Sequence, residues 1–291
     1  MAIDAKSFRN PKSAFEIQCK VYCILGDERV FNSKSPEMFS AVFQRVGLRG
    51  AYVPFMTTLE RVGEALNSIR VLNIAGANVT VPYKESVVSH LDILSEGANI
   101  IGAINTIVRQ GDRLKGYNTN AIGFMDALTD IGFDAEDKSA LVFGTGGMAK
   151  AVVFILNWLR TKTIYVSGRD SAEAGKMVAR FGGEVLSLSD LAGKKISAHI
   201  LVNATSVSSK NESPEFDALV QDLDLPECQV VLDLNYDRPD NFWQDMAHRR
   251  GIHFADGLKP LAFQARRTFA LWTGLQVSAE AFVTAIGTSQ S

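Results

Sequence analysis

The sequence predicts an α/β protein with two lobes, each built on a mostly parallel sheet with helices on both faces. The chain has 291 residues, enough for about two domains of roughly 100–200 residues each. Short apolar segments alternate with segments of helical periodicity, a pattern typical of parallel sheets. A glycine-rich loop also lies directly between a strand and a helix near the middle of the chain. We place the boundary between the two lobes near residue 120.

The first alternating series begins at a short buried strand, which Gly26-Asp27 ends. In the helix that follows, Ser35 is predicted to be the N-cap, Pro36 the first helical residue and Gly47 the stop. A hairpin with Gln110-Gly111-Asp112 as its turn is predicted near the end of the series. The predicted strands are 21–25, 51–55, 76–82, 103–109 and 113–117, and the further predicted helices are 59–72 and 84–94.

A second alternating series follows Asn120. Its predicted strands are 140–143, 163–166, 183–186, 199–203 and 230–234, and its predicted helices are 122–131, 148–159, 172–181 and 241–250. Two tail helices, 261–272 and 279–286, are expected to return to the first lobe. We therefore expect one domain over 17–120, completed by 257–291, a Rossmann-type domain over 121–256, and a cleft between them.

Composition and charge exclude several classes of function. Lys and Arg number 30 against 32 Asp and Glu, and this balance argues against binding to nucleic acid. No apolar run approaches the roughly 18–20 residues of a membrane span, and the first residues lack the apolar core of a secretory signal. The cysteines Cys19, Cys23 and Cys228 lack the pattern of a metal site. We expect a cytoplasmic protein with no metal and no membrane or nucleic-acid partner.

The glycine loop has the spacing Gly-x-Gly-x-x-Ala of a dinucleotide fingerprint, with the alanine variant at its third position. Gly144 allows the tight turn, Gly146 lets the backbone approach a pyrophosphate, and Ala149 permits close packing of helix on strand. The N-terminus of the helix adds unpaired N–H groups and a partial positive charge. The candidate cofactor contacts are Gly144, Thr145, Gly146, Gly147, Met148 and Ala149.

The end of the next strand, Ser167-Gly168-Arg169-Asp170, bears on which dinucleotide binds. An acid at this place accepts a hydrogen bond from the ribose 2′-OH of NAD, whereas an arginine pairs with the 2′-phosphate of NADP. Both stand side by side here, and Asp170 is equally suited to cap the helix that starts near Ser171. The pattern favours NADP and leaves NAD open.

Polar side chains mark the ends of the strands in the first lobe, the usual place for ligand contacts in open α/β sheets. They are hydroxyls, amides and a single lysine, with almost no carboxylates. Such a set suits a hydroxylated or carboxylated small molecule better than a peptide or nucleic acid. The residues are Ser33, Ser35, Thr80, Lys84, Asn105, Thr106 and 118–120.

In these positions the sequence resembles the shikimate dehydrogenase family, over Val21 to Gly274. Six motifs occur in the family's order: Ser33-Lys34-Ser35-Pro36, Asn78-Val79-Thr80-Val81-Pro82-Tyr83-Lys84-Glu85, Gly102-Ala103-Ile104-Asn105-Thr106, Gly116-Tyr117-Asn118-Thr119, Val202-Asn203-Ala204-Thr205-Ser206, and Ala255-Asp256-Gly257-Leu258 with Gln264 downstream. The resemblance implies NADP-dependent, reversible reduction of 3-dehydroshikimate to shikimate, a step of aromatic amino-acid biosynthesis, by a monomer or homodimer.

The resemblance also implies roles for individual residues. Ser33 and Ser35 look like the pair that holds the substrate carboxylate, and Lys84 resembles the catalytic lysine. That lysine would donate a proton or hydrogen bond to the oxygen of a carbonyl receiving hydride. Contacts to the ring hydroxyls and the rest of the substrate are implied for Thr80, Asn105, Tyr236 and Gln264, and further cofactor contacts for Arg169, Asp170, Thr205 and Gly257.

Several residues depart from the family's pattern. Asn120 stands where most members have an aspartate paired with the lysine, and an amide cannot take up a proton. Asn32 stands before Ser33 in place of the usual histidine, and Gly168-Arg169-Asp170 lacks the family's threonine after the arginine. Lys259-Pro260 replaces small or apolar residues. Two alternatives therefore stay open: a quinate or other cyclitol-acid dehydrogenase that uses NAD, and a catalytically weak or inactive paralogue that senses a small molecule.

Overall fold

Two six-stranded sheets organise the residues that the computed structural model describes, 19–191 and 193–287. The expected domain ends at 17–18 and 288–291 lie outside these residues. The predicted α/β class and its two-lobed architecture are confirmed. None of the helices in the described residues is long and apolar enough to cross a membrane.

The first sheet has the order β2-β1-β3-β5-β6-β4. Three of its pairings, β1 with β2, β1 with β3, and β4 with β6, are parallel, whereas β5 runs antiparallel to both β3 and β6. The buried strand β1 lies inside the sheet because its apolar side chains are covered on both faces. The strands are β1 (Lys20–Gly26), β2 (Gly50–Met56), β3 (Gly76–Val79), β4 (Ile93–Leu94), β5 (Thr106–Gln110) and β6 (Arg113–Tyr117).

The helices of this lobe are α1 (Ser35–Arg45), α2 (Val62–Val71) and α3 (Glu96–Ile101), with 3₁₀ turns at Glu28–Asn32 and Ser86–His90. Two predictions were wrong here. Ser35 is the first helical residue and Lys34 the N-cap, while the Ser33 hydroxyl accepts from the Ser35 backbone N–H at 3.2 Å. The predicted helix 84–94 is a turn, a short 3₁₀ helix and β4, because Ile93 and Leu94 pair with β6.

The second sheet is parallel throughout and has the order β12-β11-β10-β7-β8-β9. This is the doubly wound order of a dinucleotide-binding lobe, with the switch point between β7 and β10. The elements are α4 (Thr119–Asp130), β7 (Ser139–Phe143), α5 (Gly147–Trp158), β8 (Thr163–Ser167), α6 (Ser171–Phe181), β9 (Glu184–Val185), α7 (Leu188–Leu191), β10 (Ile200–Asn203), α8 (Pro214–Gln221), β11 (Val230–Asp233), α9 (Phe242–Arg249) and β12 (His253–Ala255).

The chain ends on α10 (Leu258–Thr273) and α11 (Ala279–Gly287), which pack against the first lobe. Phe269 of α10 and Phe282 of α11 are fully buried. The ring centroid of Phe282 lies 5.8 Å from that of Phe39 in α1 and 5.9 Å from that of Phe269, and Phe269 lies 6.0 Å from Phe43 of α1.

Helix α10 also crosses α4 closely, since a Cβ on Gly123 would lie 2.9 Å from the Gln264 backbone nitrogen. This crossing carries Gln264 toward Asn105, which precedes β5, and Thr119, which follows β6.

Candidate active site

A cavity of about 830 Å³ opens between the two lobes, at the carboxyl ends of β1, β3 and β6 in the first sheet and of β7, β10, β11 and β12 in the second. Eleven of the residues predicted for a site line it: Ser33, Ser35, Thr80, Lys84, Asn105, Asn120, Met148, Thr205, Tyr236, Gly257 and Gln264. The other predicted residues do not line it; they belong to the turn after β7, the first turn of α5 and the turn after β8, and are Gly144, Thr145, Gly146, Gly147, Ala149, Arg169 and Asp170.

Lys84 is held by the turn that follows β3. The Thr80 N–H donates to the Leu25 carbonyl at 2.9 Å, the Tyr83 N–H donates to the Thr80 carbonyl at 3.0 Å, and the Ile104 N–H donates to the Lys84 carbonyl at 2.8 Å. The turn that carries Lys84 is thereby tied to β1 and to the segment before β5, both of the first sheet. These bonds fix the backbone position of Lys84, and its side chain lines the cavity.

Lys84 has no carboxylate partner within 4.0 Å among residues 19–191 and 193–287. The neighbouring Glu85 is paired instead with Lys150 of α5, at 2.5 Å. Burial disfavours the charged form and lowers the pKa of Lys84 from the ordinary 10.5 to about 8. At neutral pH the side chain is therefore an ammonium that loses its proton far more readily than a surface lysine does.

Asn105 is the centre of a buried hydrogen-bond network. Its Nδ2 lies 2.8 Å from Thr119 Oγ1, 2.9 Å from Gln264 Oε1 and 3.1 Å from Asn120 Oδ1. Its Oδ1 accepts from the Thr119 backbone N–H at 2.7 Å. The network continues to the hydroxyls of Thr106 and Thr268, which lie 2.9 Å apart. These contacts fix the amide side chains of Asn105, Asn120 and Gln264, which all line the cavity.

Asn120, in the first turn of α4, also belongs to this network. Its side chain is buried, with 8% exposed, and its Oδ1 accepts from Asn105. Its Nδ2 is buried and has no hydrogen-bond partner among the described residues. Such an unpaired donor costs stability unless a ligand or water satisfies it.

The mouth of the cleft is bridged by residues 33–34 and 236–237. Lys34 Nζ lies 3.0 Å from Asp237 Oδ2. Hydrogen bonds from Ser33 and the Lys34 backbone also reach Tyr236, whose pKa is nonetheless raised because its phenol is buried. The loop after β1 and the loop after β11 thus meet over the cavity.

Thr205 lies on the second-lobe side, after β10, and is fixed by neighbouring amides. Its hydroxyl donates to Asn203 Oδ1 at 2.7 Å, and its carbonyl accepts from Asn235 Nδ2 at 2.9 Å. Asn203 in turn donates to the buried Asp233 carboxylate at 2.8 Å. Burial raises the pKa of that carboxyl against these hydrogen bonds. Thr205 is therefore a rigid wall of the cavity.

The glycine loop has room for a phosphate group. Gly144 has φ +115° and a Cβ there would lie 2.9 Å from the Ala204 carbonyl oxygen, so only glycine fits without strain. Among the described residues, a Cβ on Gly146 would meet nothing within 4 Å, and no side chain caps the N-terminus of α5. Free N–H groups beside open space suit the pyrophosphate of a dinucleotide. The residues present therefore fit a nicotinamide dinucleotide.

The two residues predicted to choose between NAD and NADP have different surroundings. Asp170 is the N-cap of α6, and its Oδ1 accepts from the backbone N–H groups of Ala172 at 2.9 Å and Glu173 at 3.2 Å. Arg169 is exposed and forms no ion pair with the described part of the chain. The aspartate is engaged as a cap, while the arginine stays available for an anion.

Some residues of the cavity were missed by the sequence reasoning. Asn78 lines it from β3, where every residue is buried, and accepts from the Tyr52 hydroxyl at 2.8 Å. A lone amide in a buried strand was the signal that could have pointed to it. Arg29 and Arg238 also line the cavity but carry no pattern in the sequence. Among the described residues no group of three or more His, Cys, Asp or Glu side chains is placed to hold a metal.

Two family models match the chain. The shikimate dehydrogenase substrate binding domain matches residues 24–107, and shikimate / quinate 5-dehydrogenase matches residues 127–233. Among curated relatives, the shikimate dehydrogenase (NADP(+)) of Pyrococcus abyssi is 36% identical over 262 residues, which cover 90% of this chain and 95% of that protein. The shikimate dehydrogenase (NADP(+)) of Caldanaerobacter subterraneus subsp. tengcongensis is 34% identical over 88% of this chain and 92% of that protein.

Solved structures agree in fold. Shikimate dehydrogenase from Aquifex aeolicus superposes with a TM-score of 0.82 at 30% identity, covering 92% of this chain and 98% of that one. The enzyme from Thermus thermophilus, solved in complex with NADP(H) and shikimate, has a TM-score of 0.81 at 32% identity and covers 93% of this chain and 99% of that one. With the matches to both family models and the arrangement of the cleft, the chain belongs to the shikimate dehydrogenase family.

Proposed function

We propose that the chain catalyses the NADP-dependent, reversible reduction of 3-dehydroshikimate to shikimate. The observation that carries the proposal is the position of Lys84 in a cleft between a polar pocket and a dinucleotide-binding loop. A Cβ on Gly147, the first residue of α5, would lie only 3.2 Å from Lys84 Cβ. The start of the cofactor helix therefore lies beside Lys84, so a dinucleotide bound at this loop would be close to the lysine.

The substrate is proposed to bind on the first-lobe side of the cleft. Ser33 and Ser35 are assigned to its carboxylate, since both line the cavity beside the N-terminus of α1. The remaining contacts are assigned to groups that can hydrogen-bond ring hydroxyls, namely Thr80, Asn105, Tyr236 and Gln264. In this proposal residues 17–120 with 257–291 form the substrate domain, and residues 121–256 form the cofactor domain.

NADPH, when bound, supplies the hydride for reduction of the ketone. The glycine loop, 144–149, is assigned to its pyrophosphate and Arg169 to its 2′-phosphate, with Asp170 placed beside that arginine. Met148, Thr205 and Gly257 line the cavity between the loop and the substrate pocket and are assigned to the cofactor side.

We assign the transfer of the proton to and from the substrate oxygen to Lys84. As hydride reaches the ketone carbon, negative charge develops on the oxygen, and the ammonium group donates its proton there. In the reverse direction the neutral amine accepts the proton of the hydroxyl. Asn120 cannot carry a proton, so acid–base assistance rests on Lys84 alone. The enzyme is placed in the cytoplasm, as a monomer or homodimer that acts on a free small molecule.

The test is a matrix of both cofactors against shikimate, quinate and their oxidised forms, followed by absorbance at 340 nm. We expect a steady slope, largest with NADP and shikimate in one direction and with NADPH and 3-dehydroshikimate in the other. A larger slope with quinate and NAD would show that the chain is a quinate dehydrogenase instead. Tight binding without turnover for every pair would contradict the proposed activity and would favour a protein that senses a small molecule.

A further inference from the structure

Two consecutive residues of the turn after β3 contact the cofactor helix α5 at places one turn apart. The Gly147 backbone lies so close to this turn that a Cβ there would be 3.2 Å from Lys84 Cβ. The carboxylate of Glu85 lies 2.5 Å from Lys150 Nζ. Because Gly147 and Lys150 are three residues apart, they share one face of the helix, about 4.5 Å apart along its axis. The turn therefore lies along this face of α5.

Lys150 is a fixed point on the side of the cofactor lobe. Its backbone N–H donates to the Gly146 carbonyl at 3.0 Å, and Val152 and Val153 of the same helix are fully buried. Its own side chain is mostly buried, with 17% exposed, and Glu85 neutralises its charge. Close packing of the helix and of the side chain leaves the ammonium group little freedom to move.

Lys84 has no such anchor of its own. Its side chain lines the cavity and has no carboxylate partner within 4.0 Å among residues 19–191 and 193–287. Its direction therefore depends on the backbone of the turn, which the bond from the Ile104 N–H to the Lys84 carbonyl holds on the side of the first lobe. Glu85, the next residue, ties the same turn to the second lobe. The alignment of Lys84 with the cofactor helix thus depends on a tie at each side.

We propose that Glu85 and Lys150 are positioning residues for the chemical step: their ion pair holds the turn that carries Lys84 in alignment with the first turns of the cofactor helix. The inference rests on the proposed function, which assigns the proton to Lys84 and the cofactor to the glycine loop. Neither Glu85 nor Lys150 lines the cavity, so neither is placed to touch the substrate. The pair acts on the distance between the Lys84 ammonium group and the ketone oxygen, to which the rate is sensitive.

The signs of two substitutions separate positioning from electrostatics. Glu85→Gln leaves the Lys150 cation unpaired, whereas Lys150→Met leaves the Glu85 carboxylate unpaired and keeps an apolar stem. An electrostatic influence on NADPH or on Lys84 would therefore act in opposite directions in the two variants. A loss of alignment acts in the same direction in both, because both break the same contact.

Stopped-flow kinetics of the full chain measures the step itself. The complex with NADPH is mixed with saturating 3-dehydroshikimate, and the first turnover is followed at 340 nm. Deuterium at the transferred position of NADPH identifies the hydride-transfer phase by slowing it. We expect the rate constant of this phase to fall by about tenfold in Glu85→Gln and in Lys150→Met, while KM for 3-dehydroshikimate stays within about twofold. The double variant should be no slower than the slower single variant, because the second substitution finds the contact already broken.

The matched control is Glu64→Gln, the same chemical change in an exposed ion pair within the first lobe, where Arg61 lies 3.0 Å from the Glu64 carboxylate. We expect it to leave the rate unchanged.

Three results would overturn the inference and leave the proposed function intact: a rate constant within about twofold of the original in Glu85→Gln, changes of opposite sign in the two single variants, or losses that multiply in the double variant. A lower melting temperature with an unchanged rate would give the pair a purely structural role and overturn the inference equally. Absence of turnover in the original chain would overturn the proposed function and this inference together.

Discussion

Lys34 Nζ lies 3.0 Å from Asp237 Oδ2, and this ion pair joins the two lobes across the mouth of the cleft. Lys34 stands between the two serines assigned to the substrate carboxylate, while Asp237 follows the tyrosine that also lines the cavity. The pair therefore couples the position of the substrate loop to closure of the cleft.

Removing either partner is expected to weaken substrate binding more than the chemical step. Because both side chains are partly exposed, we expect Lys34→Met or Asp237→Asn to raise KM for the substrate by about two- to fivefold, with little change in kcat. The double variant should be no worse than the worse single variant, since one interaction is lost only once. Steady-state kinetics of the three variants measures these KM values. An increase in the double variant equal to the product of the two single increases would contradict a direct interaction between Lys34 and Asp237.

Lys84→Met is expected to lower kcat and to raise the free energy of unfolding. Loss of the proton donor should lower kcat by roughly 10²–10⁴. At pH 7 the buried ammonium, whose pKa falls to about 8, destabilises the folded chain, so its removal should raise the free energy of unfolding by about 1–3 kcal/mol. Denaturant titration measures the gain, which should shrink as the pH rises from 8 toward 10.5 because the original amine is neutral there. A variant as active as the original would remove Lys84 from the chemistry.

The two directions of the reaction should depend on pH with opposite signs. Reduction needs the ammonium form of Lys84, so its rate should fall as the pH rises through the pKa of about 8. Oxidation of shikimate needs the neutral amine, so its rate should rise through the same pH. Initial rates at saturating substrate from pH 6 to about 10 measure both limbs. A midpoint near the ordinary lysine pKa of 10.5 would show that burial does not tune this group.

Substitutions of two glycines in the same loop should affect different properties, cofactor binding in one case and stability in the other. Gly146→Ala places its Cβ in open space, so the variant should fold normally and raise KM for NADPH because the methyl group occupies the cofactor's side of the loop. Gly144→Ala meets the Ala204 carbonyl at 2.9 Å with φ +115° and should lower the melting temperature. Thermal melts and NADPH titrations of both variants separate the effects. Equal losses of stability would contradict the distinction.

Much of the fold was predictable because the long elements have clear periods. All strands except β4 and β12, and the helices α4, α5, α6, α9 and α10, lie within a few residues of their predicted positions. Short elements were missed or wrong: α3 has six residues and β12 three, too few for a period to show. The region 84–94 was misassigned because pairing of Ile93 with β6, a tertiary contact, decides its structure.

The site was predictable in its residue types and less so in its geometry. Strand ends in the first lobe and the resemblance together indicated most of the polar residues that line the cavity. The orientation of the Asn120 amide could not be predicted. It depends on Asn105, whose own amide is oriented by the Thr119 backbone N–H, and Asn105 meets these two residues only in the folded chain. Gln264 reaches the same network through the close crossing of α10 on α4 at Gly123.

A crystal structure of the complex with NADP⁺ and 3-dehydroshikimate, which cannot react with each other, tests the proposed chemistry most directly. The decisive measurement is the distance from Lys84 Nζ to the ketone oxygen. We expect about 2.7–3.2 Å, the range of an N–H···O hydrogen bond, with the ketone carbon facing the nicotinamide. A nitrogen more than about 4 Å from that oxygen, with no bridging water, would contradict the assignment of the proton to Lys84.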